Sequence, residues 1–242
     1  MRSPVGRHLA ITILRREVSL VDSRPVRQTL VRVVSIGLML GACVQVSVGP
    51  IVRPSPGGPG WEVYPLPQTL VAISLPPAWR VVELNDRAED TLGKATTDST
   101  LAEQLRPIVV QLRGGGVKFF AFDPTTPVGN FAPRQFPALA FVARTAPAPS
   151  NVDAFFAGLP AEPRGREVID VRHLAGPIGD VVVRRVRETR IRDDGSFEIS
   201  IQYQCAVIAN GALSILNMQV PMTVFGTYED TLDRIARSFA PM

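Results

Sequence analysis

Histidine is scarce in this chain of 242 residues, which contains only His8 and His173. The sequence also has no Gly-x-Ser-x-Gly, Walker A, His-Glu-x-x-His or calcium-loop pattern. With one histidine after residue 42, a metal site built from several histidines is excluded, and a catalytic triad has a single candidate base. Acidic residues are scattered through the sequence, and no two of them have a spacing that indicates a pair of catalytic carboxylates. We therefore predict no catalytic residue, no metal ligand and no cofactor, and we place His173 on the surface.

Apolar runs long enough to span a membrane are not evident either. The run over residues 33–42 has about 10 residues, whereas a membrane-spanning helix needs roughly 20. A short apolar run behind basic residues is typical of a secretory signal, so residues 1–42 are predicted to be a signal peptide. Residues 1–32 are long for such a signal and include Glu17 and Asp22, so one interpretation places the true start of translation further along the chain.

The end of this run, Leu40-Gly41-Ala42-Cys43, resembles the lipobox of bacterial lipoproteins. In that family the cysteine thiol receives a diacylglyceryl group, the chain is cut just before the cysteine, and the new amino terminus is acylated. The resemblance implies cleavage between Ala42 and Cys43 and lipidation of Cys43. Two or more acyl chains hold a protein firmly on a membrane where one binds reversibly. The alternatives are an uncleaved anchor, an ordinary signal, or a buried helix with a chance cysteine.

Charge is distributed unevenly along the chain. The sequence has 26 basic and 22 acidic residues, of which residues 1–42 hold seven and two, so the remainder is close to neutral. A nucleic-acid partner requires a basic domain and is therefore not expected. Once Cys43 is acylated, Cys205 has no partner for an intramolecular disulfide, and its strand-like context predicts a small buried apolar residue. The expected partners are the membrane, through the lipid on Cys43, and an unidentified protein or small molecule.

Residues 43–67 are rich in proline and glycine, a composition that cannot build a core. We predict that this segment is a tether that carries the lipidated cysteine. The remaining residues 68–242 are long enough for one domain with a core of its own.

Three helices are predicted from apolar spacing, over residues 97–113, 152–159 and 227–239. Pro107 is expected to kink or split the first helix, and the glycines at 114–116 to end it. Trp79, which follows a proline pair, is expected in the core or at a sheet edge. The residues expected to cap the three helices are, in chain order, Asp98 or Ser99, then Ser150, then Thr227 with Asp230.

The clearest fold signal is a run of strands over residues 181–192, 197–208 and 212–223, which should form an antiparallel meander. In the middle strand, apolar residues from Phe197 to Val207 alternate with polar ones, so that one face should be core. In the preceding strand the same register turns Arg185 and Arg187 inward. We expect either a bulge there or a partly buried ionic site, and an anionic-ligand site is a third interpretation.

The order of these elements, with Leu75-Pro-Pro-Ala-Trp79, Phe119-Phe-Ala-Phe-Asp123 and the terminal Ser238-Phe239, resembles the PsbP-like α/β/α sandwich over residues 68–240. The resemblance implies an α+β fold in which helices flank an antiparallel sheet. The family has no common catalytic residues, and its members mostly act as binding or accessory subunits. The resemblance therefore implies a non-enzymatic role.

The sequence as a whole predicts a lipid-anchored protein on the extracytoplasmic face of the cell membrane, with a non-catalytic binding or accessory role. The alternative is an envelope enzyme, hydrolase-like, whose site is assembled from loops. A pocket with converging polar groups and shifted pKa values would favour the enzyme. A shallow apolar patch would favour a partner-binding module.

Overall fold

The structure is a computed structural model that describes residues 57–126, 137–145, 147–176, 179–191, 195–209 and 211–242. These residues belong to one compact unit, which spans residues 53–242. The predicted signal peptide, the cleavage site at Ala42 and Cys43, and most of the tether lie outside the described residues and stay predictions.

A seven-stranded antiparallel sheet forms the centre of this unit. Its strands lie side by side in the order β3-β4-β5-β9-β8-β7-β6. Each strand runs antiparallel to its neighbours, so the predicted meander and the α+β class with an antiparallel sheet are confirmed. The strands are β3 (Arg80–Glu83), β4 (Phe119–Phe122), β5 (Leu139–Thr145), β6 (Arg166–Gly176), β7 (Gly179–Ile191), β8 (Phe197–Ala209) and β9 (Ala212–Pro221).

A second, three-stranded sheet joins β1 (Glu62–Leu66) and β10 (Ala240–Pro241) to the two sides of β2 (Val71–Leu75). Residues 62–66, which the sequence analysis placed in the tether, therefore pair with β2 instead. Proline is tolerated in β1 because this strand lies at the edge of its sheet. The composition of the surrounding segment did not indicate a strand, because β1 depends on its pairing with β2.

Helices α1 (Ala88–Ala95) and α2 (Ser99–Gly114) follow β3. The Asp98 side chain caps α2 by accepting hydrogen bonds from the backbone N–H groups of Thr100 and Leu101. The helix continues through Pro107, so of the two expected effects of this proline, a kink or a split, the split is wrong. Because Pro107 is exposed, water can hydrogen-bond the carbonyl group that the proline leaves without a partner.

Two predicted helix starts require correction. Helix α3 (Val152–Ala157) is capped by Asn151, whose side chain accepts from the N–H of Ala154, and not by Ser150. Helix α4 (Phe225–Ser238) begins before Thr227, so Thr227 and Asp230 form no capping box. A 3-10 turn over Met222–Val224 leads directly into α4 and takes the place of a side-chain cap.

The main core lies between the seven-stranded sheet and a layer formed by α4 and the small sheet. Leu232 of α4 and Phe239, the residue that follows this helix, are fully buried there against strand residues that include Tyr203. Trp79 is also buried in this core, as predicted. On the opposite face of the sheet, α3 packs on β7 and β8 through Phe156.

Strand β8 follows its predicted alternation only in part. Ile201, Tyr203, Cys205 and Val207 are buried on the α4 side, but Phe197 is 67% exposed. The hairpin of β7 and β8 therefore has an exposed end that its apolar pattern did not reveal. Cys205 is fully buried as expected, and desolvation raises the pKa of its thiol.

Candidate functional site

An open pocket of about 340 Å³ lies beside the first half of α4. We call it the α4 pocket. It is bounded by the turn between β2 and β3, by the turn that follows β4, and by α4 itself. Its lining consists of Pro76, Ala78, Trp79, Asp123, Thr125, Thr227, Tyr228 and Thr231.

Asp123 organises the floor of this pocket. Its Oδ1 accepts hydrogen bonds from the backbone N–H of Thr125 at 2.8 Å and from the Thr125 hydroxyl at 2.6 Å. An aspartate directly after a strand commonly forms a turn of this kind with the second residue that follows it. Its Oδ2 accepts from the hydroxyl of Tyr228 at 2.7 Å. The carboxylate therefore ties the end of β4 to α4.

Among the described residues that line the α4 pocket, Asp123 has no counter-charge. Asp123 is buried, with 6% of the residue exposed, and this described lining contains no lysine, arginine or histidine. Burial raises the pKa of Tyr228 to about 12, and its hydrogen bond to Thr126 partly offsets this rise. At neutral pH the Tyr228 hydroxyl is therefore protonated and donates to Asp123 without bringing a charge of its own.

A cluster of charged residues lies under another side of α4. Glu229 and Asp233 stand four residues apart on the helix and therefore share one face. Arg185 donates from Nη1 to Glu229 Oε1 at 2.8 Å and from Nε to Asp170 Oδ1 at 2.8 Å. Arg172 donates to Asp233. The cluster joins β6 and β7 to α4.

Tyr203 lies at the centre of this cluster and is fully buried. The guanidinium carbon of Arg172 lies 5.6 Å from its ring centroid, and that of Arg185 lies 6.0 Å away. Both positions suit a cation–π interaction. Burial raises the pKa of Tyr203 to about 12, so the hydroxyl is neutral and accepts a hydrogen bond from Arg172 at 3.1 Å.

Arg185 faces inward and thus confirms one of the two main expectations for β7. The expectation that Arg187 also turns inward is wrong, because its side chain is 49% exposed and pairs with Glu167. The register of β7 with β8 is regular throughout, and Arg185 lies opposite Tyr203. The bulge lies in the neighbouring strand β6, between Val168 and Asp170, so a bulge in the arginine-bearing strand is wrong. Arg185 instead forms the partly buried ionic site. Carboxylates of the chain itself occupy the positions that an anionic ligand would take.

We expect the Asp170–Arg185 pair to make stability depend on acid pH. The hydrogen bond from Arg185 holds the pKa of Asp170 below its usual value. The resulting stabilisation is present above the unfolded-state pKa of about 4, and it is lost as pH falls through the lower folded-state pKa. Urea unfolding at a series of acid pH values should therefore show a shallower pH dependence in Asp170→Asn than in the wild type.

The matched control for this measurement is Asp230→Asn. Asp230 pairs with Arg234 on the exposed face of α4, and its side chain is 76% exposed. Since exposed pairs contribute little, this variant should keep the wild-type pH dependence. If the free energy of unfolding of Asp170→Asn depends on pH as steeply as that of the wild type, the stabilising role of the pair is contradicted.

A second polar network lies on the other face of the sheet and involves Arg184, which is 5% exposed. Its guanidinium donates to Gln204 Oε1 at 2.7 Å and to the carboxylate of Glu162. Arg166 lies 3.2 Å from the other oxygen of Glu162. Glu162 stands in the segment before β6, so this network fixes that segment against the sheet.

His173 lies on the surface as predicted, in strand β6. Its side chain is half exposed, and its Nε2 lies 3.1 Å from Asp153 Oδ1 at the start of α3. Within the part of the chain that the structure describes, no three histidine, cysteine or acidic residues are grouped so that they could hold a metal ion.

Sequence reasoning missed the α4 pocket. The turn residues after β4 were visible as a break in the chain, but nothing in their spacing indicated that Tyr228, more than a hundred residues later, would donate to Asp123. The spacing of Thr227 and Asp230 indicates a helix cap and gives no sign of a pocket. Only the packing of α4 on the sheet brings these segments together.

No protein-family model matches this chain, and the search of curated proteins finds no match. Solved structures to which it is similar include LpqN, involved in cell envelope biogenesis of Mycobacterium tuberculosis, with 15% identity, a TM-score of 0.38, and coverage of 76% of this chain and 87% of the other. Cyanobacterial PsbP (CyanoP) from Synechocystis sp. PCC 6803 is 12% identical, with a TM-score of 0.40 and coverage of 84% of this chain and 99% of the other. A Pseudomonas aeruginosa protein of unknown function is 10% identical, with a TM-score of 0.35 and coverage of 75% of this chain and 97% of the other. Similarity at this level assigns neither a function nor a site.

Proposed function

We propose that this chain is a lipid-anchored protein of the cell envelope, held on the extracytoplasmic face of the membrane, with a non-catalytic binding or accessory role. The lipobox-like residues 40–43 support the anchor. Among the helices that the structure describes, none is long and apolar enough to cross a membrane. We further propose that the α4 pocket is the binding site of the domain.

The observation that carries the non-catalytic role is how the polar groups of the α4 pocket are used. Asp123 accepts hydrogen bonds from Thr125 and from Tyr228, so it holds the pocket together. The candidate base of the sequence analysis, His173, contacts Asp153 and is not part of the lining. The described lining therefore holds no histidine that could act as the base of a triad toward one of its hydroxyl groups.

The lipid anchor is tested by replacing Cys43 with serine in the full-length chain expressed in a bacterium. A serine hydroxyl does not provide the thiolate nucleophile that lipid transfer needs. We expect Cys43→Ser to accumulate as an unprocessed precursor that incorporates no labelled fatty acid, as measured by gel mobility and by mass spectrometry of the membrane fraction.

Cys205→Ala serves as the control because it removes the other cysteine, which is buried in β8. This variant should be processed and labelled like the wild type. Normal processing and labelling of Cys43→Ser would refute the lipoprotein assignment.

A further inference from the structure

The α4 pocket has a net negative charge that nothing in its described lining balances. Asp123 supplies a buried carboxylate, and the other lining residues are neutral. Arg80, the first residue of β3, lies nearby in the sequence, but its guanidinium donates to the carbonyl oxygens of Pro77 and Trp79 and is not part of the lining. Since a buried charge is costly unless it is paired, this site favours a cation and disfavours an anion.

The remaining lining groups suit an organic cation better than a metal ion. Trp79 and Tyr228 belong to the lining, although these residues are only 3% and 7% exposed, and aromatic rings attract ammonium groups through the ring quadrupole. The hydroxyls of Thr227 and Thr231 can accept N–H donors. A hard metal ion such as calcium needs six or more oxygen ligands. In the ranges that the structure covers, no cluster of three acidic, histidine or cysteine residues meets that need.

The hydrogen bonds of Asp123 leave room for such a ligand. A carboxylate offers about four lone-pair positions, and three are taken by the two Thr125 donors and by Tyr228. The volume of about 340 Å³ is near the lower end of the range for ligand pockets, about 300–1,000 Å³. The occupant is therefore a small molecule.

We propose that the α4 pocket binds a small organic ammonium ion, with the Asp123 carboxylate as its counter-ion. This inference rests on the proposed binding role of the pocket and names the chemical class of its ligand.

The test is a titration of the purified, ¹⁵N-labelled full-length protein with ethanolamine and with choline, at low ionic strength and followed by NMR. Ethylene glycol is the neutral probe. We expect both ammonium ions at millimolar concentrations to shift the backbone signals of Thr125, Thr227 and Thr231, and ethylene glycol to leave them unchanged. Asp123→Asn keeps an oxygen for the Thr125 donors but removes the charge, so the affinity should fall at least tenfold.

Two further variants separate charge in the pocket from charge elsewhere. Asp230→Asn removes one negative charge from the exposed face of α4 and should bind both probes like the wild type. Thr231→Lys places a cation in the lining and should abolish binding, even if Asp123→Asn proves to be poorly folded.

Each contrary outcome identifies what fails. Equal binding of ethylene glycol, or wild-type affinity in Asp123→Asn or in Thr231→Lys, would overturn the ammonium assignment but leave the binding role of the pocket standing. No shift with any probe would overturn the binding role as well. Neither result depends on whether Cys43 is lipidated, which the labelling experiment tests separately.

Discussion

Leu232→Ala should lower the free energy of unfolding by about 3 kcal/mol. Leu232 lies in the middle of α4, is fully buried, and packs in the core between this helix and the seven-stranded sheet. Truncation removes buried methyl groups and leaves a cavity that the surrounding strands can fill only in part. The effect is expected to be large because the sheet beneath α4 is continuous and hydrogen-bonded, so it cannot collapse onto the space.

Urea unfolding of the purified variant measures this loss. Arg234→Ala is the matched control on the same helix, since Arg234 forms an exposed pair with Asp230 and its side chain is 49% exposed. It should change the free energy of unfolding by less than about 0.5 kcal/mol. A loss below about 1 kcal/mol in Leu232→Ala would mean that α4 contributes less to the core than its burial indicates.

The second large effect is expected on the opposite face of the sheet. Arg184→Met should lower the free energy of unfolding by roughly 3 kcal/mol, because it leaves the mostly buried Glu162 carboxylate without its closest cation. The side chains of Arg184 and Glu162 are only 6% and 14% exposed. Arg166 still faces Glu162 in this variant, so the charge is only partly compensated. Chemical denaturation with a two-state fit gives the value.

The double variant Arg184→Met with Glu162→Leu distinguishes the buried pair from simple loss of packing. Replacing both partners of a buried ion pair by apolar side chains is often neutral or stabilising. Part of the stability lost in Arg184→Met should therefore return in the double variant, in which Arg166 loses the Glu162 carboxylate but keeps its hydrogen bond to Gln202 Oε1. If the two substitutions are instead additive and both destabilising, the ion pair does not account for the cost.

Much of the fold could be predicted because its signals are local. Alternation along β8 marked the buried residues Ile201 to Val207, and the spacing along α2 marked its buried face. These patterns depend on the geometry of a single strand or helix, whose side chains repeat every two or about 3.6 residues. The antiparallel order of β7, β8 and β9 followed because short hairpin connections leave no other simple arrangement.

The missed elements are those that owe their structure to distant contacts. Helix α1 has only two buried residues, Ala88 and Leu92, and these are too few to form an apolar stripe from which a helix could be predicted. Strand β1 exists because β2 provides hydrogen bonds for it. The start of α4 was misplaced because a 3-10 turn, with no side-chain signature, replaces the expected cap.

The candidate site also combines a feature that a local pattern predicted with contacts that the sequence did not predict. Register alone turned Arg185 toward the core, but its partners Asp170 and Glu229 come from a neighbouring strand and from a helix 44 residues away. No spacing rule links these positions, because the contact depends on where α4 crosses the sheet. The same crossing places Tyr228 against Asp123 and so creates the α4 pocket.

The amino-acid sequence by itself determined the order of most strands and helices and which of their faces are apolar, and it predicts the leader segment. These properties follow from side-chain chemistry within one segment. Only the tertiary structure decided which charges meet and where a pocket opens. A buried ion pair or a ligand site requires groups from separate segments to converge within a few ångströms, and only the packing of those segments against one another sets that distance.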